Sequence, residues 1–321
     1  MTETKKSREI LYWRPALITV ISATLAIGML GGCSGQNTGK AASLEETSAK
    51  TAAYIQQTVE EPQVSSVGGE WAVIGLKKGD VTVDEDWYDT YYDNLRVAVK
   101  TGKGTLGGEY NTEYARVTLA LCALGKNPAD VEGYDLVTPL DDYEKITEQG
   151  INAAAFALIA SNVSGITLSN EEAYVQFIEE ELSDDAMYQA SRSDYIAMAL
   201  EGLSFYQERE DVKPVIEKGV TALSEYQTED GSYGNCESTA EAIMAVTQLG
   251  IDPQKDERFQ KNGNNLYDGL LVYSNKDGSF CHVTEDSKGN AMATEKALLA
   301  MDAVALQQKG RTLYEREGNT P

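Results

Sequence analysis

Between Gln227 and Gly250 the chain reads Gln-Thr-Glu-Asp-Gly-Ser-Tyr-Gly-Asn-Cys-Glu-Ser-Thr-Ala-Glu-Ala-Ile-Met-Ala-Val-Thr-Gln-Leu-Gly. Asp230-Gly231-Ser232 and Gly234 mark a tight turn, because glycine adopts the positive-φ conformations that other residues resist. Ser238 or Thr239 is placed to cap the helix that follows, accepting from its first free N–H groups. Ala242, Ala245, Val246 and Leu249 then recur at helical spacing, and Gly250 suits the left-handed residue beyond the helix end. One Gly-rich turn and one Ala-rich helix cannot bury their own apolar face. Such a unit has to stack on copies of itself.

Copies do recur. Ala-rich helices are predicted from Asn111 to Leu124, Gln149 to Ala160, Ser193 to Tyr206, Ser238 to Leu249 and Ala293 to Leu306, with a shorter one over Glu70–Leu76. More polar helical stretches lie between them, near Leu44–Val59, Asp86–Lys100, Leu140–Thr147, Asn170–Glu181, Val212–Tyr226 and Gly263–Tyr273. Pairing each polar helix with the Ala-rich helix after it gives six hairpins. Leu124-Gly125-Lys126-Asn127-Pro128 and Leu249-Gly250-Ile251-Asp252-Pro253 repeat the same stop, with glycine ending the helix and proline preventing its resumption. No alternating stretch is long enough for a sheet core, so the fold class is all-α. Small residues on one helix of each pair predict close packing on both sides, and charges on the other predict a solvated outer layer. Six such pairs form either an open solenoid or a closed two-layered ring.

The chain of 321 residues carries a formal charge of −24 with 42% hydrophobic residues. That suffices for a large core and repels nucleic acid and anionic headgroups, so no nucleic-acid partner is expected. Only the start is basic. Lys5, Lys6, Arg8 and Arg14 precede an apolar run from Pro15 to Leu30, which ends in Leu30-Gly31-Gly32-Cys33. This order resembles the bacterial lipoprotein signal, with residues 1–33 as signal peptide and Cys33 as the lipidated residue of the lipobox. The resemblance implies a lipid-anchored protein on the extracellular face of the bacterial cell membrane. Residues 34–42 read as a flexible linker, 43–310 as the helical domain and 311–321 as a C-terminal tail. Cys122 sits on an apolar helical face, whereas Cys236 and Cys281 fall in equivalent turns where a disulfide is open but not required.

Asp230-Gly231-Ser232-Tyr233-Gly234 followed by Ser238-Thr239-Ala240, and Asp277-Gly278-Ser279-Phe280 followed by Ala293-Thr294-Glu295, resemble the glycine-rich repeat of the terpenoid cyclase and protein prenyltransferase superfamily. That resemblance covers Ala42 to Gly310 and implies an (α/α)6 toroid with inner and outer rings of helices around a hollow. Gly68-Gly69-Glu70-Trp71-Ala72-Val73, Tyr91-Tyr92-Asp93-Asn94 and Tyr110-Asn111-Thr112-Glu113-Tyr114-Ala115-Arg116 look more like a branch found in bacterial surface proteins. That branch is similar to the α-domain of the cobalamin carriers transcobalamin and intrinsic factor, which implies a corrinoid or similar large cofactor as ligand. The carriers close a β-rich domain over their ligand. No such stretch is read here, so a lid-domain or transporter partner protein is expected.

The enzymes of the superfamily need definite residues. The triterpene cyclases' Asp-x-Asp-Asp acid, in which neighbouring aspartates share a proton, does not occur. Asp84-Glu85-Asp86, Asp141-Asp142 and Asp184-Asp185 stand at helix starts, where acids are favoured anyway. The prenyltransferases' zinc site needs Asp-x-Cys and a distant His, but Gly234 stands two residues before Cys236. His282 is the single histidine, so any triad or metal ligation by imidazole has to use it. No catalytic residue and no protein-held metal site is therefore assigned. Tyrosine is abundant at 18 residues, and aromatics with polar tips suit a wet cleft. Trp71, Tyr110, Glu113, Tyr114, Arg116, Tyr233, Phe280 and His282 are the candidate ligand-binding residues, and Glu241 and Glu295 recur near the same helix starts. The expectation is a non-enzymatic surface lipoprotein binding a large ligand at one mouth of a ring. The alternatives are an isoprenoid enzyme and a protein-interaction scaffold.

Overall fold

The computed structural model describes residues 43–107, 111–189 and 192–316. Among the described residues there are thirteen α-helices and no strand, β pairing being confined to isolated bridges such as Ser274 with Phe280. The protein is all-α. The polar helices are α1 (Leu44–Thr58), α3 (Glu85–Gly102), α5 (Tyr143–Glu148), α7 (Glu171–Ser183), α10 (Val212–Tyr226) and α12 (Leu266–Leu271). The Ala-rich helices are α2 (Glu70–Lys78), α4 (Thr112–Ala123), α6 (Ile151–Ser164), α9 (Ser193–Leu203), α11 (Cys236–Gln248) and α13 (Ala291–Gln307). A single turn, α8 (Asp185–Gln189), lies between α7 and α9 and is marked by no periodicity in the sequence. No helix among the described residues is long and apolar enough to cross a membrane. Cys33 and the linker before Ser43 lie outside the described residues, as does Tyr110.

The Ala-rich helices form the inner layer. Helix α2 packs on α4, α4 on α6, α6 on α9, α9 on α11, α11 on α13, and α13 returns to α2. Their small residues let backbones approach closely. In α9, a Cβ added at Gly202 would stand 2.9 Å from the Cα of Ala155 in α6, so the crossing admits only glycine. The polar helices cover this layer from outside: α5 and α7 lie on α6, α10 on α9, α12 on α11, and α1 on α13. Helices α6 and α13 are buried on almost every face, which explains why their apolar residues show little one-sidedness.

The two Gly-rich turns are one structure used twice. In each, the aspartate Oδ1 accepts from the backbone N–H of the serine two residues on, at 3.0 Å from Asp230 to Ser232 and 3.0 Å from Asp277 to Ser279. Gly231 and Gly278 have φ of 88° and 94°, and a Cβ on either would collide with backbone, at 2.3 Å from the Asn265 oxygen and 2.5 Å from the Lys50 oxygen. The sequence-based capping assignment needs correcting. Asn235 caps α11 through Ser238 N–H at 2.8 Å, and Asn290 caps α13 through Ala293 N–H at 3.1 Å. Thr239 and Thr294 instead accept from the backbone N–H of Tyr233 and Phe280, at 3.0 and 2.9 Å, and tie the turn to its helix.

The inner helices start at a common end. Cys236 N–H of α11 donates to the His282 carbonyl in the segment between α12 and α13, and Thr112 N–H of α4 donates to Gln149 just before α6. Gly68 N–H, before α2, donates to the Glu295 carboxylate of α13. Cys236 and Cys281 are both reduced, so the optional Cys236–Cys281 bond is not formed.

Large and charged side chains meet between the inner helices. Trp71 of α2 reaches Phe156 of α6, two positions round, with ring centroids 5.4 Å apart. Below them Lys296 of α13, Glu241 of α11 and Glu201 of α9 are all buried. Of the expected C-terminal tail, residues 311–316 are described and pack on the domain. Leu313 and Tyr314 are buried, and Tyr314 exchanges backbone hydrogen bonds with the Gln248 side chain at the C-terminal end of α11, at 3.0 and 3.2 Å.

Candidate functional site

The N-terminal end of the inner layer holds Trp71, Glu113 and Arg116 of the candidate side chains, together with Glu295. Glu70 opens α2 and is buried; its Oε1 accepts from Ser65 N–H at 2.8 Å and from the Tyr91 hydroxyl at 3.0 Å. Glu113, in the first turn of α4, accepts from the Ser65 hydroxyl at 3.1 Å. Glu295 of α13 takes Gly68 N–H. Three carboxylates from three helices thus clamp the loop Ser65–Gly69 over this mouth. Ser65 itself is held at φ 56°, a left-handed conformation that costs a non-glycine residue. Burial raises the Glu70 carboxyl above its ordinary range and the Glu295 carboxyl to about 7.

Arg116 lies one turn into α4. Its Nε stands 3.9 Å from Glu70 Oε2, too long for a hydrogen bond, and is buried without a hydrogen-bond partner, while the side chain as a whole is 29% exposed. The guanidinium is therefore paired by charge yet has donors to spare at the mouth. Trp71, which follows Glu70 in α2, is half-buried, with the Lys296 ammonium 4.0 Å over its ring. Val67 and Met292 are exposed apolar residues that flank the Gly68–Glu295 bond, one next to Gly68 and the other a turn before Glu295.

No family model matches the chain, and no curated protein matches it. The chemistry of the mouth carries the functional reading.

The remaining candidates divide. Tyr114 turns outward: its hydroxyl accepts from Leu106 N–H at 3.3 Å, and its ring lines a cleft of about 530 Å³ with Pro139, Asp142 and Lys145. Tyr233 donates to the Leu223 carbonyl at 2.7 Å and is half-buried, and Phe280 is completely buried. These two hold the repeat together and offer a ligand little or no surface. His282 is half-exposed at the start of α11, with Nδ1 2.7 Å from Glu237 Oε2. A carboxylate on Nδ1 orients the ring and leaves Nε2 facing outward as a donor atom. Among the described residues no group of three or more His, Cys, Asp or Glu could hold a bare metal ion. Cys236 does not pair with His282 in a metal site; its Sγ faces the Ala293 carbonyl at 3.5 Å, and burial pushes its thiol well up.

Sequence reasoning missed Ser65, Glu70, Lys296, Glu201 and Tyr314. A signal existed for two of them: Glu201 and Lys296 are charges inside Ala-rich helices, where a solvated position is least available. Ser65 and Tyr314 act from loops, and only the fold brings them in.

Proposed function

We propose that this chain is a lipid-anchored protein of the bacterial cell surface whose closed (α/α)6 toroid binds a large, partly apolar ligand at the N-terminal mouth of its inner helices. The cyclic packing of α2, α4, α6, α9, α11 and α13 supports the toroid. Arg116 is the observation that carries the binding reading: its side chain is 29% exposed and makes no hydrogen bond among the described residues, while Glu70 Oε2 lies 3.9 Å from the buried Nε. An anionic or amide-bearing ligand completes its hydrogen bonds, while Trp71, Val67 and Met292 supply apolar contact. A corrinoid has this mixture of charge, amides and apolar edge. His282 would be the residue to hold the metal of such a cofactor, since Glu237 orients its imidazole.

The missing motifs weigh against the isoprenoid cyclase or prenyltransferase alternative: no Asp-x-Asp-Asp occurs, and Gly234 stands two residues before Cys236. A lid-domain or transporter protein remains the partner that would cover a ligand held at so open a mouth. Calorimetry and visible absorbance with aquocobalamin test the reading. Heat of binding with a shift of the cobalt spectrum in the native chain, weakened tenfold or more in Arg116→Ala, supports it. Silence in both measurements sinks it.

A further inference from the structure

At the centre of the inner layer, Glu201 of α9 is completely buried, and neither of its carboxyl oxygens has a hydrogen-bond partner other than another acid. Glu241 of α11 is buried beside it, within hydrogen-bonding reach. Glu241 Oε1 accepts from the Lys296 ammonium at 2.6 Å, and its Oε2 is left over. Lys296 in turn lies 4.0 Å over the Trp71 ring. We infer that Glu201 and Glu241 share one proton at the centre of the ring, and that Lys296 transmits its presence or loss to Trp71 at the mouth.

The charge balance requires this. Two ionised carboxylates against one ammonium would leave a net negative charge in a dry interior, which is severely penalised. One proton between Glu201 and Glu241 makes the trio neutral and turns two stranded oxygens into a donor and an acceptor. Burial first, and the Glu241 charge second, hold the Glu201 carboxyl well above the ordinary range, with Lys296 opposing. Among the described residues Lys296 is the cation that acts on Glu201. Helix α6, on the far side of α9, has no charged residue between Ile151 and Ser164. Helix α10 bears Lys213, Glu217, Lys218 and Glu225, of which Lys213 is half-buried and the others exposed; the acids of α7 are partly or fully exposed. On α11 the remaining acid, Glu237, is engaged by His282. On α13, Glu295 is taken by Gly68 and Asp302 by Ser48. From the C-terminal segment the Tyr314 hydroxyl, buried and unpartnered, lies close enough to feel both acids. When the proton leaves, Lys296 is drawn harder toward the carboxylates and away from the indole face.

The proton site stands apart from the ligand reading, and its test needs no ligand. Tryptophan emission and the thermal midpoint are followed against pH in the full chain and in Glu201→Gln, Glu295→Gln and Trp71→Phe. Glutamine has the shape of a protonated glutamate, so Glu201→Gln keeps the centre packed. The expected result is an emission step above the usual carboxylate range in the native chain and in Glu295→Gln, absent from Glu201→Gln and Trp71→Phe. The thermal midpoint falls over the same pH interval in the native chain and in Trp71→Phe, and falls less in Glu201→Gln. Persistence of the step in Glu201→Gln, or its loss in Glu295→Gln, overturns the assignment. Flat emission in all four proteins overturns the coupling to Trp71, and identical thermal profiles for native and Glu201→Gln overturn the shared proton.

Discussion

Glu241 and Lys296 occupy the same register position on neighbouring inner helices, each following its capping asparagine, Asn235 or Asn290, by the same interval, and they meet in a 2.6 Å ion pair. The repeat that stacks the hairpins therefore also decides which side chains face each other at the centre. Lys296→Met removes the single cation from a buried acid pair. Loss of one partner of a buried pair costs about 3–5 kcal/mol, which urea unfolding at neutral pH will register. The double variant Glu241→Leu with Lys296→Met is expected to recover much of that loss, because no lone charge is left behind.

Stability will fall as pH rises from mildly acidic to neutral. Glu70, Glu201, Glu295 and Asp302 all have carboxyls raised above their ordinary values, with burial as the leading cause. A raised folded-state value means the contribution is complete below the unfolded value, near 4.5 for Glu295, and is lost as pH climbs to about 7. Exposed acids such as Asp211, held at about 2 by Arg209, act only at lower pH and do not reverse this slope. Scanning calorimetry from about pH 5 to about pH 8 will show a descending midpoint. Glu295→Gln will flatten it, since the residue's share is on the order of 3 kcal/mol. A midpoint that rises over this interval contradicts the assignment.

The equivalence of the two turns predicts equal sensitivity. Gly231→Ala and Gly278→Ala each place a Cβ on a positive-φ residue and against a carbonyl oxygen, of Asn265 and Lys50 respectively. Each should cost more than about 1 kcal/mol in urea unfolding. Gly234→Ala, with no atom within 4 Å of the added Cβ, carries the φ penalty alone and should cost less than either.

Tyr314 anchors the C-terminal segment. Its ring is completely buried beside Glu201 and Glu241, so Tyr314→Ala should cost about 3–5 kcal/mol by the cavity it leaves. Tyr314→Phe should cost much less, because the hydroxyl has no hydrogen-bond partner. Comparable losses in the two variants would mean that the hydroxyl, not the ring, holds the segment.

The hairpins were legible because their signals are local. Helical spacing of alanines and a glycine–proline stop fixed α4 and α11 to within a few residues of their observed ends. The cap of α11 was misassigned because Asn235, Ser238 and Thr239 are all competent acceptors, and only the tertiary bond from Tyr233 N–H takes Thr239 out of contention. At the mouth, Trp71, Glu113 and Arg116 were legible as unusual residues at helix starts. The pattern could not separate them from Tyr233 and Phe280, which face inward because Thr239 and Thr294 pin their backbones. The acid pair at the centre was invisible for a different reason: Glu201 and Glu241 meet through helix packing, and no spacing along the chain encodes that distance.

Closure of the ring is the claim on which the mouth, the proton site and the seated C-terminal segment all rest. Val67 and Met292 are exposed on either side of the Gly68–Glu295 bond that joins the first inner helix to the last. Both are changed to cysteine and treated with a short bismaleimide at high dilution, and the cross-linked peptides are mapped by mass spectrometry. Efficient linkage of residues 67 and 292 within one chain is the predicted result. Linkage only between chains, or none while both thiols react singly, would contradict closure.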